Sequence, residues 1–499
     1  MAGEGSTGAT KSLADLGLTA REGREARITG LAIDSRAVKP GHLFAALPGS
    51  TLHGAEFITY ALRMQAGAIL TDREGARLAA DALAGASVPV VVAEDARAAL
   101  SGAAALWFDA QPETVVAVTG TSGKTSVSQF TLQIWQDLGY PSCAIGTMGV
   151  TGDLEAPLSH TTPEPVTLHR ILATAAAEGI THAAMEASSH GLDQHRLDGV
   201  QLKAAAFTNF SQDHLDYHKD FDSYFAAKAL LFDRILPEDA PAVINIDDPR
   251  GRQLRERLAA RGQGVFTIGR TGHADARITG QRFDATGQEV LVDWRGEVRR
   301  IRLDLIGGFQ AENVLAAAAL AMLAGAPREG VLNALPRLRT VRGRMELAAT
   351  RKNGAAVFVD YAHKPGAVIA ALQSLRPHVM GRIVVVLGAG GDRDRGKRPL
   401  MGQAAREFAD VVFVTDDNPR TEDPAAIRAE VLAGAGSEAT EVADRAEAIL
   451  RGVDALQPGD ALLIAGKGHE TGQYIMGNVY PFDDAEQASI AVAALDGLL

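Results

Sequence analysis

The chain has 499 residues, which at about 150 residues per domain predicts roughly three domains. Hydrophobic residues make up 46% and charged residues 22%, an ordinary soluble profile, and 5% aromatics with 52 glycines favour layered α/β packing over an aromatic-rich sandwich. The 49 Lys+Arg against 61 Asp+Glu leave a net charge of −12, which argues against general nucleic-acid binding.

In chain order, residues 1–10 are small and polar and read as disordered, with no basic region and apolar run to mark an export signal. The first division, 1–110, shows a strand-like Ile28–Ile33, a turn at Lys39-Pro40-Gly41 and a strand-like His42–Ala46. A helix-like Ala55–Gln65 and two short apolar strands, Ala68–Leu70 and Val88–Val92, follow. The second, 111–340, opens on the β-branched run Thr114–Thr119, read as a buried strand, then a glycine turn and a helix. Strands near Ala183–Met185, Ala204–Thr208 and Ala242–Asn245 continue an alternation expected to reach about Leu338, which predicts a mostly parallel sheet with helices on both faces. The apolar stretch Val314–Ala326 is too short to span a bilayer and reads as a buried helix, so no membrane partner is expected. The single cysteine, Cys143, cannot form an intramolecular disulfide, which fits a reducing cytoplasm.

The third division, 341–499, places strands at Ala356–Val359, Ile383–Leu387, Val411–Val414 and Ala461–Ile464, with helices such as Pro365–Leu375 and Pro399–Phe408 between them. Each strand ends in a polar loop: 360–363, 388–396, 416–420 and 466–470. Ligands of open parallel sheets bind beyond the carboxyl ends of the strands, so four such loops predict one shared site.

The sharpest motif is Thr119-Gly120-Thr121-Ser122-Gly123-Lys124-Thr125-Ser126, between a strand and a helix. Backbone N–H groups at such a turn face anionic oxygens; Lys124 would reach the outer phosphates and the Thr125 hydroxyl would ligate Mg²⁺. The spacing from Gly120 to Gly123 is shorter than in the general nucleotide-binding motif. This short form resembles the Mur ligase and folylpolyglutamate synthetase superfamily, whose members couple ATP cleavage to amide formation.

Further along come Glu186-Ala-Ser-Ser-His-Gly-Leu-Asp-Gln-His-Arg196, a segment 208–218 containing His214, and a helical segment containing Lys228. Read singly, Glu186 is a solvated strand-end charge, His214 a hydrogen-bonded histidine and Lys228 a solvated helix face. Together they resemble the Mur ligases, in particular the branch that adds the third residue of the peptidoglycan peptide. The resemblance implies three α/β domains, a central phosphate-loop ATPase-like sheet and a C-terminal Rossmann-like sheet. It implies that Lys228 is carbamylated to N6-carboxylysine and that Glu186 and His214, with Thr125, hold Mg²⁺. It implies that Ser35, Thr161, Thr162, Ser188, Gln194 and Arg196 bind a UDP-N-acetylmuramoyl dipeptide. It further implies that Asn313, Arg344 and Asp360 join residues 120–126 in binding ATP; Gln310 stands where Asn is more usual. His363 accompanies Asp360.

Asp417-Asn418-Pro419-Arg420 goes, in this family, with meso-diaminopimelate as the incoming amino acid. A guanidinium can clamp its distal carboxylate bidentately, a group that lysine lacks. Arg393, Gly466 and Glu470 match the family's other contacts to that amino acid. The expected activity is ATP-dependent addition of meso-diaminopimelate to the D-glutamate γ-carboxylate of UDP-N-acetylmuramoyl-L-alanyl-D-glutamate through an acyl phosphate, by a cytoplasmic monomer. The alternatives are L-lysine or a folylpolyglutamate-type substrate in the same ligation, or a nucleotide-switched binding module.

Overall fold

The computed structural model describes residues 10–49, 51–211 and 217–498. Residues 1–9 of the segment 1–10 read as disordered, and His214, lie outside them. The chain packs as two compact units, one running to Thr267 and including Ala316–Arg328, the other made of Ile268–Leu315 and Glu329–Leu499.

The first unit holds two parallel sheets. The smaller has the order Gly30–Ala32, His42–Ala46, Ala68–Thr71, Val90–Val92, all parallel. The expected strand Ile28–Ile33 is broken at Thr29: Arg27–Ile28 pairs antiparallel with Lys11–Ser12, while Gly30–Ala32 joins the parallel sheet. In the larger sheet the order runs from Val265–Gly269 through Ala242–Asn245, Ala204–Phe207, Thr114–Thr119, His182–Glu186 and Ser142–Gly146, with Gly149–Gly152 antiparallel at the edge. Thr114–Thr119 is buried along its whole length, as a strand covered on both faces requires.

In the second unit the strict strand–helix alternation expected to Leu338 fails. Ala276–Asp284, Gly287–Trp294 and Glu297–Leu303 form an antiparallel meander. Their burial alternates along Gly287–Trp294, the period of a sheet with one wet face, and polar residues such as Arg277 and Arg300 obscure the pattern in sequence.

A six-stranded sheet of this unit has the order Glu346–Thr350 (antiparallel edge), Ala356–Asp360, Ala461–Ala465, Ile383–Leu387, Val411–Val414, Thr440–Glu441. Successive side chains point to opposite faces and build two cores. Phe358, Ile383, Val385, Leu387 and Leu463 pack with Leu372, Met401 and Val431. Val357, Val384, Val386, Leu462 and Ile464 pack with Ile449, Val453 and Ala488. Fully apolar strands are therefore a necessity of a sheet covered on both sides.

Candidate functional site

In the first unit, the strand Thr114–Thr119 runs into the helix Lys124–Asp137 through a turn that only glycine permits. Gly120 has φ 146° and Gly123 φ 88°, both in the left-handed half of the map. A Cβ on Gly120 would collide with Thr208 Oγ1. Gly123 caps the helix without a side-chain bond, unlike the carboxylate caps Asp95, Glu164 and Asp248 elsewhere in this unit. A glycine cap leaves room for an external anion where an aspartate would repel it.

The turn is clamped from the neighbouring strand end. Asn209 Oδ1 accepts from Ser122 N at 2.9 Å, Asn209 O accepts from Thr121 N at 2.9 Å, and Thr208 Oγ1 donates to Ser122 O at 2.6 Å. Two lysines converge on one carbonyl: Lys124 Nζ donates to Gly120 O at 2.9 Å and Lys228 Nζ to the same oxygen at 2.7 Å. Lys228 is 1% exposed and lies over the Tyr224 ring at 4.5 Å, so the solvated helix face suggested by the residue alone is wrong.

Glu186 is 2% exposed, not a solvated strand end. Parallel register pairs it with Val118, at the mouth of the turn. Its Oε2 accepts from Thr125 Oγ1 at 3.0 Å and Thr147 Oγ1 at 3.2 Å, and its Oε1 from Thr147 N at 2.8 Å. A Cβ on Gly146 would strike the same carboxylate. Carboxylate and hydroxyl oxygens form the hard donor set that Mg²⁺ prefers, and that ion keeps several ligands for water and phosphate. Among the described residues there is no group of three or more His, Cys, Asp or Glu side chains that could hold a metal ion, and His214 lies outside them.

From Glu186 the polar chain continues. Thr162 Oγ1 donates to Glu186 O at 2.9 Å and accepts from Ser188 N at 3.0 Å. Ser188 caps the next helix by accepting from Gly191 N at 3.0 Å. Arg196 donates to Thr162 O at 2.7 Å and to Gln194 Oε1 at 2.8 Å, and burial, with Arg97 nearby, lowers its pKa. Thr161 reaches the group through Thr147, at 3.0 Å between hydroxyls. Ser35 opens a turn capped by Asp34 and is itself buried.

In the second unit, sheet register sets the four loops at one level: Asp360 pairs with Ala465, Ala465 with Leu387, and Leu387 with Val414. Asp360 accepts from Met345 N and Ala362 N, each at 2.8 Å. Burial raises its pKa, opposed by Arg344. The Arg344 guanidinium stacks over Tyr361 at 4.6 Å. His363 Nδ1 carries its proton toward Tyr361 O at 2.8 Å, and burial depresses this histidine to a pKa of about 4. Asn313 donates to Gln310 Oε1 at 3.0 Å on the helix Gln310–Leu323.

Around residues 417–420 the loops interlock. Arg420, at φ 54°, donates to Gly391 O at 2.7 Å, and Gly391 N donates to Asn418 O at 2.9 Å. Asn418 Nδ2 donates to Glu470 Oε2 at 2.9 Å. Gly466, at φ 123°, lies so near Asp417 that a Cβ would crowd its carboxylate. Pro419 is buried, whereas Arg393 is exposed and donates to Asp392 O at 3.1 Å.

Sequence reasoning assigned no role to Thr147, Thr208, Asn209 or Lys467. The signal for Lys467 was present, a lysine set between two glycines at a strand end. Also missed was Arg398, fully buried and bonded to Glu422 and Glu430, with Glu422 in turn accepting from Asp392 N at 2.5 Å. That pairing ties the 388–396 loop to the 417–422 loop.

Family models match three stretches: Mur ligase family, catalytic domain, over residues 27–108; Mur ligase middle domain over 118–321; and Mur ligase, glutamate ligase domain, over 343–468. A UDP-N-acetylmuramoyl-L-alanyl-D-glutamate–2,6-diaminopimelate ligase of Brucella melitensis biotype 1 is 50% identical, covering 95% of this chain and 96% of that protein. The protein of the same name from Bradyrhizobium diazoefficiens is 49% identical over 94% and 95%. A solved structure of a ligase with this name superposes with a TM-score of 0.70 at 33% identity, covering 98% of this chain and 99% of that one.

Proposed function

Because the chain belongs to the Mur ligase family, we propose that it joins meso-diaminopimelate to UDP-N-acetylmuramoyl-L-alanyl-D-glutamate in an ATP-dependent, amide-forming reaction of peptidoglycan precursor synthesis. The γ-carboxylate of D-glutamate takes the terminal phosphoryl group of ATP, releasing ADP. The amino nitrogen of the diamino acid then attacks the acyl phosphate carbon, loses its proton, and phosphate leaves.

The chain's own residues divide this work. The 120–126 turn and Lys124 hold the phosphates, the ammonium offsetting charge on the transferred group. Thr125 and Glu186, with His214, would hold Mg²⁺, which when bound neutralises phosphate charge. Lys228 is assigned as a carbamylated lysine, its buried place beside the turn being the supporting observation. Ser35, Thr161, Thr162, Ser188, Gln194 and Arg196 are assigned to the UDP-dipeptide, and Asn313, Arg344 and Asp360 to the nucleotide. The lone buried Cys143 and nucleotide-linked substrates support a cytoplasmic setting. Among the described residues no helix is long and apolar enough to cross a membrane.

The choice of amino acid rests on one observation: Arg420 spends a single hydrogen bond on Gly391 O among the described residues, leaving guanidinium donors for a distal carboxylate. Phosphate release tests the reading. It should require ATP, the UDP-dipeptide and meso-diaminopimelate together; release with L-lysine alone as the amino acid would reject it.

A further inference from the structure

Lys467 is 0% exposed, yet it carries an ammonium into the group of loops assigned to the incoming amino acid. Its Nζ donates to Asn418 Oδ1 at 2.9 Å and lies 3.5 Å from Glu470 Oε2 and 3.9 Å from Asp417 Oδ1. Asn418 Oδ1 also accepts from Tyr474 N at 3.1 Å. An asparagine amide has two orientations, with oxygen and nitrogen exchanged. Here two donors claim the oxygen, so the NH₂ group must face Glu470, where Nδ2 lies 2.9 Å from Oε2. Without the ammonium the oxygen keeps a single donor, Tyr474 N, and the amide is held less firmly in the orientation that presents Nδ2 to Glu470. Lys467 also offsets one of the two carboxylates packed around it. A buried cation held by a carbonyl oxygen and two carboxylates is costly to place, and removal of one partner leaves the rest unbalanced.

We propose that Lys467 is a positioning residue for amino-acid recognition: it fixes the orientation of the Asn418 amide and, through it, the Glu470 carboxylate that receives an ammonium of the incoming diamino acid. It touches no substrate in this role. The inference rests on the proposed function, with Asn418 and Glu470 taken as contacts to the diamino acid as the family resemblance of their motifs implies. It predicts an effect on amino-acid affinity, with phosphoryl chemistry spared.

The test is steady-state phosphate release by the full chain with ATP, the UDP-dipeptide and meso-diaminopimelate. Lys467→Met should raise KM for meso-diaminopimelate by about tenfold or more, with kcat within about threefold and KM for ATP unchanged. Asn418→Ala should raise the same KM, and the double variant should be no worse than the weaker single one, because both act through one amide. A structural role alone would lower kcat and thermal stability without this split. Unchanged KM in Lys467→Met, or additive losses in the double variant, would overturn the inference. If Lys467→Met does not fold, Lys467→Arg decides: a retained cation should keep kcat and raise only the amino-acid KM, and a loss confined to kcat would reject the proposal. Failure of the native chain to use meso-diaminopimelate would instead reject the functional reading on which the inference rests.

Discussion

The phosphate turn of the first unit and the interlocked loops of the second are built alike and prepared differently. Both follow buried parallel strands, and both use glycines where a Cβ would collide with a neighbouring polar group. In the turn, Lys124 donates to the backbone carbonyls of Gly120 and Thr121, and Lys228 to that of Gly120. In the loops, Lys467 is held by an amide oxygen that is also bonded to the backbone, with two carboxylates close by. The first arrangement suits a highly charged anion that brings its own counter-ions. The second suits a zwitterion, whose opposite charges need preset partners of both signs.

Four substitutions distinguish the two arrangements. The largest effect is expected from Lys124→Ala, which removes the ammonium assigned to the phosphates: kcat for phosphate release should fall about a thousandfold, while the variant melts like the native chain. A loss smaller than tenfold would mean that the turn does not carry the phosphoryl chemistry. Next, Glu186→Gln keeps an acceptor for Thr125 and Thr147 but removes the charge. Activity should fall about a hundredfold and recover in part as Mg²⁺ is raised, read from phosphate release against metal concentration. No dependence on metal would dissociate Glu186 from Mg²⁺.

A smaller and more selective effect belongs to Arg420→Ala. Its KM for meso-diaminopimelate should rise about ten- to a hundredfold, with KM for ATP unchanged, because the proposed partner of the distal carboxylate is removed together with one bond to Gly391 O. An equal rise for both substrates would make the residue a loop support only. The smallest effect concerns pH. His363 is depressed from 6.5 to about 4 by burial, so it stays neutral in the folded chain while the unfolded chain takes up the proton near 6.5. Its contribution is complete above 6.5 and is lost as pH falls toward 4, by on the order of 1 kcal/mol per pH unit. Melting curves between pH 7 and 4 should fall more steeply for the native chain than for His363→Gln; parallel curves would contradict this.

The sequence made the parallel strands legible because burial on both faces demands unbroken apolar runs. Ile383–Leu387 and Val411–Val414 stand where their composition puts them. The antiparallel meander of 276–303 was not legible, since its wet face breaks the apolar signal and arginines occupy the strands. The turn at 120–126 could be read from glycine spacing and one lysine. Its clamp could not, because the Thr208 and Asn209 side chains hold backbone groups of the turn, a task open to many polar residues. Lys467 lay in plain sight, but nothing in a one-dimensional reading shows that a lysine is fully buried or that its partner is Asn418.

The proposed distal-carboxylate clamp at Arg420 would select the amino acid, and a competition decides it: the native chain is offered equal meso-diaminopimelate and L-lysine with ATP and UDP-N-acetylmuramoyl-L-alanyl-D-glutamate, and the product is weighed. A product carrying diaminopimelate, with the lysine adduct a minor species that gains ground in Arg420→Ala, is the expected result. A lysine adduct as the main product of the native chain would contradict the account.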